Sequence, residues 1–158
     1  MNPEIKTVTE KKLIGKRIRT TLADDKTVIL WQSFMPRHRE IQNKVGSVFF
    51  SLRIYDEILS RDNMNNPFEK WAAVEVPDFD FVPGNMETYT LSGGLYAVFL
   101  YKGLNTDHSI YQYIYGTWLT GSAYALDDRP HFEIMGEKYR NNDPDSEEEI
   151  WIPVKLKN

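Results

Sequence analysis

The chain has 158 residues, a length that fits one domain with its own core, and its 41% hydrophobic and 27% charged residues are ordinary for a globular protein. A net charge of −4 argues against the concentrated basic face that nucleic-acid binding needs, and the lack of cysteine excludes disulfide and thiolate chemistry. No apolar run approaches the roughly 20 residues that span a bilayer and no apolar signal segment opens the chain, so the expectation is a cytoplasmic protein with neither membrane nor nucleic-acid partners.

Residues 4 to 22 read as extended, in two strand segments around Gly15. Ile14 and Ile18 alternate there with Lys11, Lys12, Lys16, Arg17 and Arg19, a solvated face. Asp24 or Asp25 caps a helix in which Leu30, Trp31, Phe34 and Met35 share one side. Pro36 disfavours helical geometry at Met35 and ends or kinks that helix, leaving Arg37 to Asn43 irregular or as a single turn. Val48 to Tyr55 alternates as a strand, Asp62-Asn63-Met64-Asn65-Asn66-Pro67 is a turn cluster, and Phe68 to Val76 is a returning strand. Pro77 to Asn85 reads as a connector.

From Met86 the same order begins again. A strand runs through Tyr101, including the buried run Leu95 to Tyr101. Thr106 or Asp107 caps a helix over 107–120 that Gly121 closes, with Ile110, Tyr111, Ile114, Tyr115 and Trp118 on one broad face. A strand near 130–139 opens at Pro130, and a last strand covers 149–156. On the first of these, Glu133 shares a face with His131 and Met135, because strand side chains alternate. Strand, helix, strand, strand occurs twice, in halves of about 1–77 and 85–158 of one domain spanning 1–158. The predicted class is α+β, a duplicated module with helices segregated to one face of an antiparallel sheet.

Four tryptophans, nine tyrosines and eight phenylalanines are many for this length and suggest surfaces that are partly apolar and partly wet. A carboxylate at Glu133 among so many rings needs a positive or hydrogen-bonding partner. A tyrosine hydroxyl, Arg129 or Lys138 could supply one from within the chain, and a ligand could supply one from outside. His38, His108 and His131 are scattered, so no metal site is expected. Asp143 to Glu149 lacks the glycine and spacing of a calcium loop and reads as a solvated turn. No nucleophile elbow or phosphate-cradling glycine loop occurs, and no cofactor is expected.

Several pieces in order resemble the GyrI-like, AraC-type effector-binding domains. They are Leu30-Trp31 with Phe34, Tyr55-Asp56, Ala73-Val74-Glu75-Val76, Gly94-Leu95-Tyr96-Ala97-Val98-Phe99 with Gly103, Trp118-Leu119, Phe132-Glu133, and Glu149-Ile150-Trp151-Ile152-Pro153. The resemblance implies two SHS2-type halves about a pseudo-twofold axis, with a groove between the helices and the sheet. It also implies that Glu133 lies in that groove and meets a small molecule, aromatic or lipophilic and often cationic. Trp118, Tyr115, Tyr96 and Trp71 are the first candidates for its lining, with Tyr55, Trp31, Phe34, Tyr111 and Trp151 behind them. With no helix-turn-helix pattern in the chain, the implied role is a free-standing sensor or sequestering protein. Two other family roles are open: hydrolysis of reactive small molecules with Glu133 activating water, and protein-binding inhibition of the DNA gyrase type. The family therefore leaves room for a protein partner, a regulator or gyrase, with the acidic stretch 143–149 as the first surface to consider.

Overall fold

The computed structural model describes residues 2–57 and 64–158. The first half comprises β1 (Glu4–Val8), β2 (Lys11–Thr20), α1 (Thr27–Phe34), β3 (Phe49–Tyr55) and β4 (Phe68–Val76). The second comprises β5 (Glu87–Leu91), β6 (Gly94–Lys102), α2 (Ser109–Tyr113), β7 (Tyr124–Leu126), β8 (His131–Met135) and β9 (Glu147–Leu156). A 3₁₀ segment, Met35–Glu40, continues α1 as Pro36 requires, and a π-helical segment, Ile114–Trp118, with Leu119–Gly121 continues α2.

All pairings are antiparallel, in the order β1-β6-β9-β8-β3-β4-β2-β5, with β7 paired to the far end of β9. Read outward from the central β3–β8 pair, the two halves are the same: β3-β4-β2 with α1, and β8-β9-β6 with α2. Each half lends its first strand to the other, since β1 pairs with β6 and β5 pairs with β2. The links that make this exchange cross closely. A Cβ at Gly93 would stand 2.4 Å from the Val8 carbonyl oxygen, so only glycine fits. The duplicated α+β fold with both helices on one face is as expected.

Side-chain parity divides the interior. On the helix side, Ile14, Leu30, Phe34, Ile41, Ala72 and Val74 pack under α1, while Phe99, Ile110, Ile114, Ile150, Ile152 and Val154 pack under α2. On the opposite face the sheet curls around Leu13, Phe50, Leu52, Trp71, Tyr96, Phe132 and Trp151. The repeat is visible there in detail: the Trp71 indole donates to Glu69 at 2.5 Å, and the Trp151 indole to Glu149 at 3.0 Å.

Some boundaries differ from the sequence reading. Gly15 lies inside β2, and the break comes at residues 9–10. Gly15 is needed for close packing, because a Cβ there would stand 2.0 Å from the Ala72 carbonyl oxygen. The strand expected through Tyr101 is two strands, interrupted at Ser92 and Gly93, and β7 was not anticipated, being too short for a periodic signal. The strand near 130–139 stops at Met135. Met35 is 40% exposed, off the buried side of α1. The turn expected at 62–67 is seen from Met64 onward, its first two residues lying outside the described ones. Asp25 accepts the Thr27 amide at 2.9 Å, and Asp107 accepts that of Ser109 at 3.0 Å, but the N-cap residues are Lys26 and His108, so each aspartate stands one residue before the cap position that the sequence reading gave it.

Candidate functional site

The β3–β8 pair sets Ser51 opposite Glu133 and Arg53 opposite His131, and the β3–β4 pair sets Lys70 opposite Arg53. Period-two alternation turns all five toward the helices. They lie between the core under α1, which includes Ala72, and the core under α2, which includes Ile150. Ser51, Lys70, His131 and Glu133 are all buried, so a charged patch occupies the middle of an apolar floor.

Its bonds are few for its charge. An Arg53 terminal nitrogen, Nη2, stands 3.3 Å from Glu133 Oε1, and its guanidinium lies 5.0 Å from the Tyr111 ring centroid. The Tyr111 hydroxyl donates to the same Oε1 at 2.6 Å. Tyr115 and His131 Nδ1 are hydrogen-bonded at 2.9 Å, and Tyr55 packs edge-on against His131 at 5.2 Å. Glu133 Oε2 and the Arg53 Nε and Nη2 atoms are buried without a hydrogen-bond partner. Such atoms each cost about 1–3 kcal/mol unless something meets them.

Burial pulls the Arg53 guanidinium down, but Glu133 and then the tyrosines Tyr55, Tyr115 and Tyr111 carry it well above its usual range, so it stays charged. Burial, and then Glu133, push the Tyr111 hydroxyl well up, keeping it a proton donor. Burial lowers Lys70, against the pull of Glu133. Burial and the Glu133 charge raise Glu148 to about 7.

The expected lining residues are thus separated. Glu133, Tyr111, Tyr115 and Tyr55 come together at this patch. Trp71 and Tyr96 lie on the other face of the sheet. Ser51 pairs with Ala72, which puts Trp71 on the opposite parity; Tyr96 is fully buried there and donates to the Pro130 carbonyl at 2.9 Å. Trp151 belongs to that face too. Trp118 packs on Phe99 at 5.2 Å and stacks with Tyr124, inside the α2 core. The π-helical segment widens the turn between Tyr115 and Trp118, which takes Trp118 off the tyrosine stripe. Phe34 is core under α1, and Trp31 is half-buried against Phe34 and Phe49.

Arg53, Lys70 and Glu148 were missed. Lys70 was legible, since it shares parity with Phe68, Ala72, Val74 and Val76 in a strand where that parity is buried. The acidic stretch is likewise not all solvated turn. Glu147–Glu149 belong to β9, with Glu149 holding the Trp151 indole and Glu148 close enough to Glu133 to feel its charge.

Two clefts, of about 190 and 340 Å³, lie at the strand ends. Both are lined by Asp127 and Arg129, and the smaller reaches the patch through Tyr55 and His131. Arg129 is held there by Asp127 at 2.8 Å and by the carbonyls of Leu95 and Val154. Neither Arg129 nor Lys138 pairs with Glu133; Arg53 does.

A family model described as GyrI-like small molecule binding domain matches residues 1–155. No curated protein matches the sequence. Among solved structures, the EcmrR C-terminal domain superposes with a TM-score of 0.72 at 18% identity, covering 98% of this chain and 97% of that one. SAV2435 bound to tetraphenylphosphonium superposes at 0.67 and 19% identity, covering 98% and 94%. A hydrolase encoded by lin2189 from Listeria innocua superposes at 0.62 and 11% identity, covering 98% and 92%. In the EcmrR–DNA complex the matched region is 57% of the EcmrR chain. At these identities the likeness is one of fold.

Proposed function

The chain belongs to the GyrI-like small-molecule binding domain family, and on that premise we propose that it binds a small aromatic molecule over the Arg53–Glu133 patch between α1 and α2. One observation carries this reading: an acceptor, Glu133 Oε2, and two donors, Arg53 Nε and Nη2, are buried without hydrogen-bond partners beside the Tyr111 ring. Rings supply flat contact area, and the unpartnered atoms supply orientation. That SAV2435 is a structural neighbour bound to an organic ligand supports the reading by analogy of fold.

The role that fits is a sensor or a sequestering protein. Binding between two helices that close opposite halves of one sheet ties their separation to occupancy. Native mass spectrometry of protein purified from its own host tests the proposal. A retained small molecule, lost in Tyr111→Ala, is the expected result. Release of product from a reactive electrophile, abolished by Glu133→Gln, would instead make the protein a hydrolase with Glu133 as its base.

A further inference from the structure

Glu133 alone would make the patch attractive to cations, but the strand pairing places Arg53 beside it and Lys70 beside Arg53. Arg53 and Lys70 are direct cross-strand neighbours on β3 and β4. Like charges so placed destabilise a sheet unless an anion lies between them. The Arg53 side chain is 11% exposed and Lys70 as a whole 8%. Glu133 is engaged on one oxygen by both Arg53 and Tyr111. Arg53 Nε and Nη2 are buried without a hydrogen-bond acceptor, Nη2 meeting Glu133 as an ion pair at 3.3 Å, and burial at Lys70 works against its charge. Two buried cations therefore face one carboxylate already shared. The other nearby carboxyl, Glu148, is held near half-neutral at neutral pH by burial and by Glu133, so it offsets little of the excess.

We propose that the ligand of this groove is an aromatic acid, whose carboxylate lies between Lys70 and Arg53 and whose ring lies against Tyr55 and Tyr111. This rests on the groove being the binding site and adds the sign of the ligand's charge. The carboxylate supplies the hydrogen-bond acceptor that Arg53 Nε and Nη2 lack and a counter-charge for Lys70, and charge-assisted bonds to a compact anion are the strong kind. Tyr111, held protonated as a donor, adds no negative charge against it.

Isothermal titration of the full chain with three probes of one shape tests the sign: 2-naphthoate, neutral 2-naphthamide, and 2-naphthylmethylammonium. Naphthoate is expected to bind at least tenfold more tightly than the amide, and the ammonium more weakly than the amide. In Lys70→Met, which keeps the buried stem, naphthoate should lose about tenfold and the amide should be unchanged. A ranking with the ammonium tightest, weakened by Glu133→Gln, would overturn the charge assignment and leave the groove as the binding site. Equal binding of all three would do the same. No binding of any probe, with none displacing a molecule retained from the host, would overturn both. The wild-type ranking decides the sign by itself should Lys70→Met fail to fold.

Discussion

Arg53 and Glu133 occupy equivalent positions in the two halves and meet at 3.3 Å on adjacent central strands. The offset that carries Glu69 and Trp71 of β4 onto Glu149 and Trp151 of β9 carries Arg53 of β3 onto Glu133 of β8. The duplication thus brings mates together at its own axis, where divergence to opposite charges turns a symmetric contact into an ion pair. The same offset sets Lys70 against Ile150 and Phe68 against Glu148, so the halves contribute unequal charge.

Arg53→Met and Glu133→Gln should each cost about 3–5 kcal/mol in urea unfolding, because each leaves its partner buried and unpaired. The double variant should fall short of the summed loss by about 1–3 kcal/mol. Strict additivity would show that the two charges are not coupled.

Tyr111→Phe removes the hydroxyl that reaches Glu133 at 2.6 Å and keeps the ring. A loss of about 1–3 kcal/mol is expected, the cost of an unsatisfied buried acceptor. A thermal shift no larger than that of a surface Tyr→Phe control would mean that water replaces the hydroxyl.

Glu148 has a folded-state pKa raised to about 7 by burial and by Glu133, above its ordinary 4.5. The folded protein therefore holds this proton where the unfolded chain has released it. The resulting stability is fully present below the unfolded value and declines as pH rises from about 4.5 to 7. Glu148→Gln should flatten that part of the profile and raise stability at pH 8 by about 1–2 kcal/mol. A wild-type profile that rises over the same window, unaltered by the substitution, would contradict the assignment.

Trp118→Ala should destabilise the fold by about 2–3 kcal/mol, since a half-buried indole is lost from the α2 core beside Phe99 and Tyr124. Ligand affinity should change less than twofold at temperatures where the variant is folded. A tenfold loss of affinity would return Trp118 to the groove.

Local periodicity was enough for the repeated strand, helix, strand, strand order and for the stop at Pro36, and it placed the helix starts to within a residue, because propensity and parity act over a few residues. It was also enough to set Glu133 and His131 on one face. Which strands lie side by side is a long-range matter, and the site depends on it. Only the β3–β4 and β3–β8 pairings bring Lys70 beside Arg53 and Arg53 beside Glu133, and only the paired registers show that Trp71, Tyr96 and Trp151 share the parity that faces away from the helices. Aromatic content could not distinguish those rings from Tyr55, Tyr111 and Tyr115, since a tryptophan packs equally well on either face. Tyr111 and Tyr115 reach the patch from the helical segment above it, and what assigns each strand ring to one face or the other is its parity relative to Glu133, which acquires that meaning once the strands are paired.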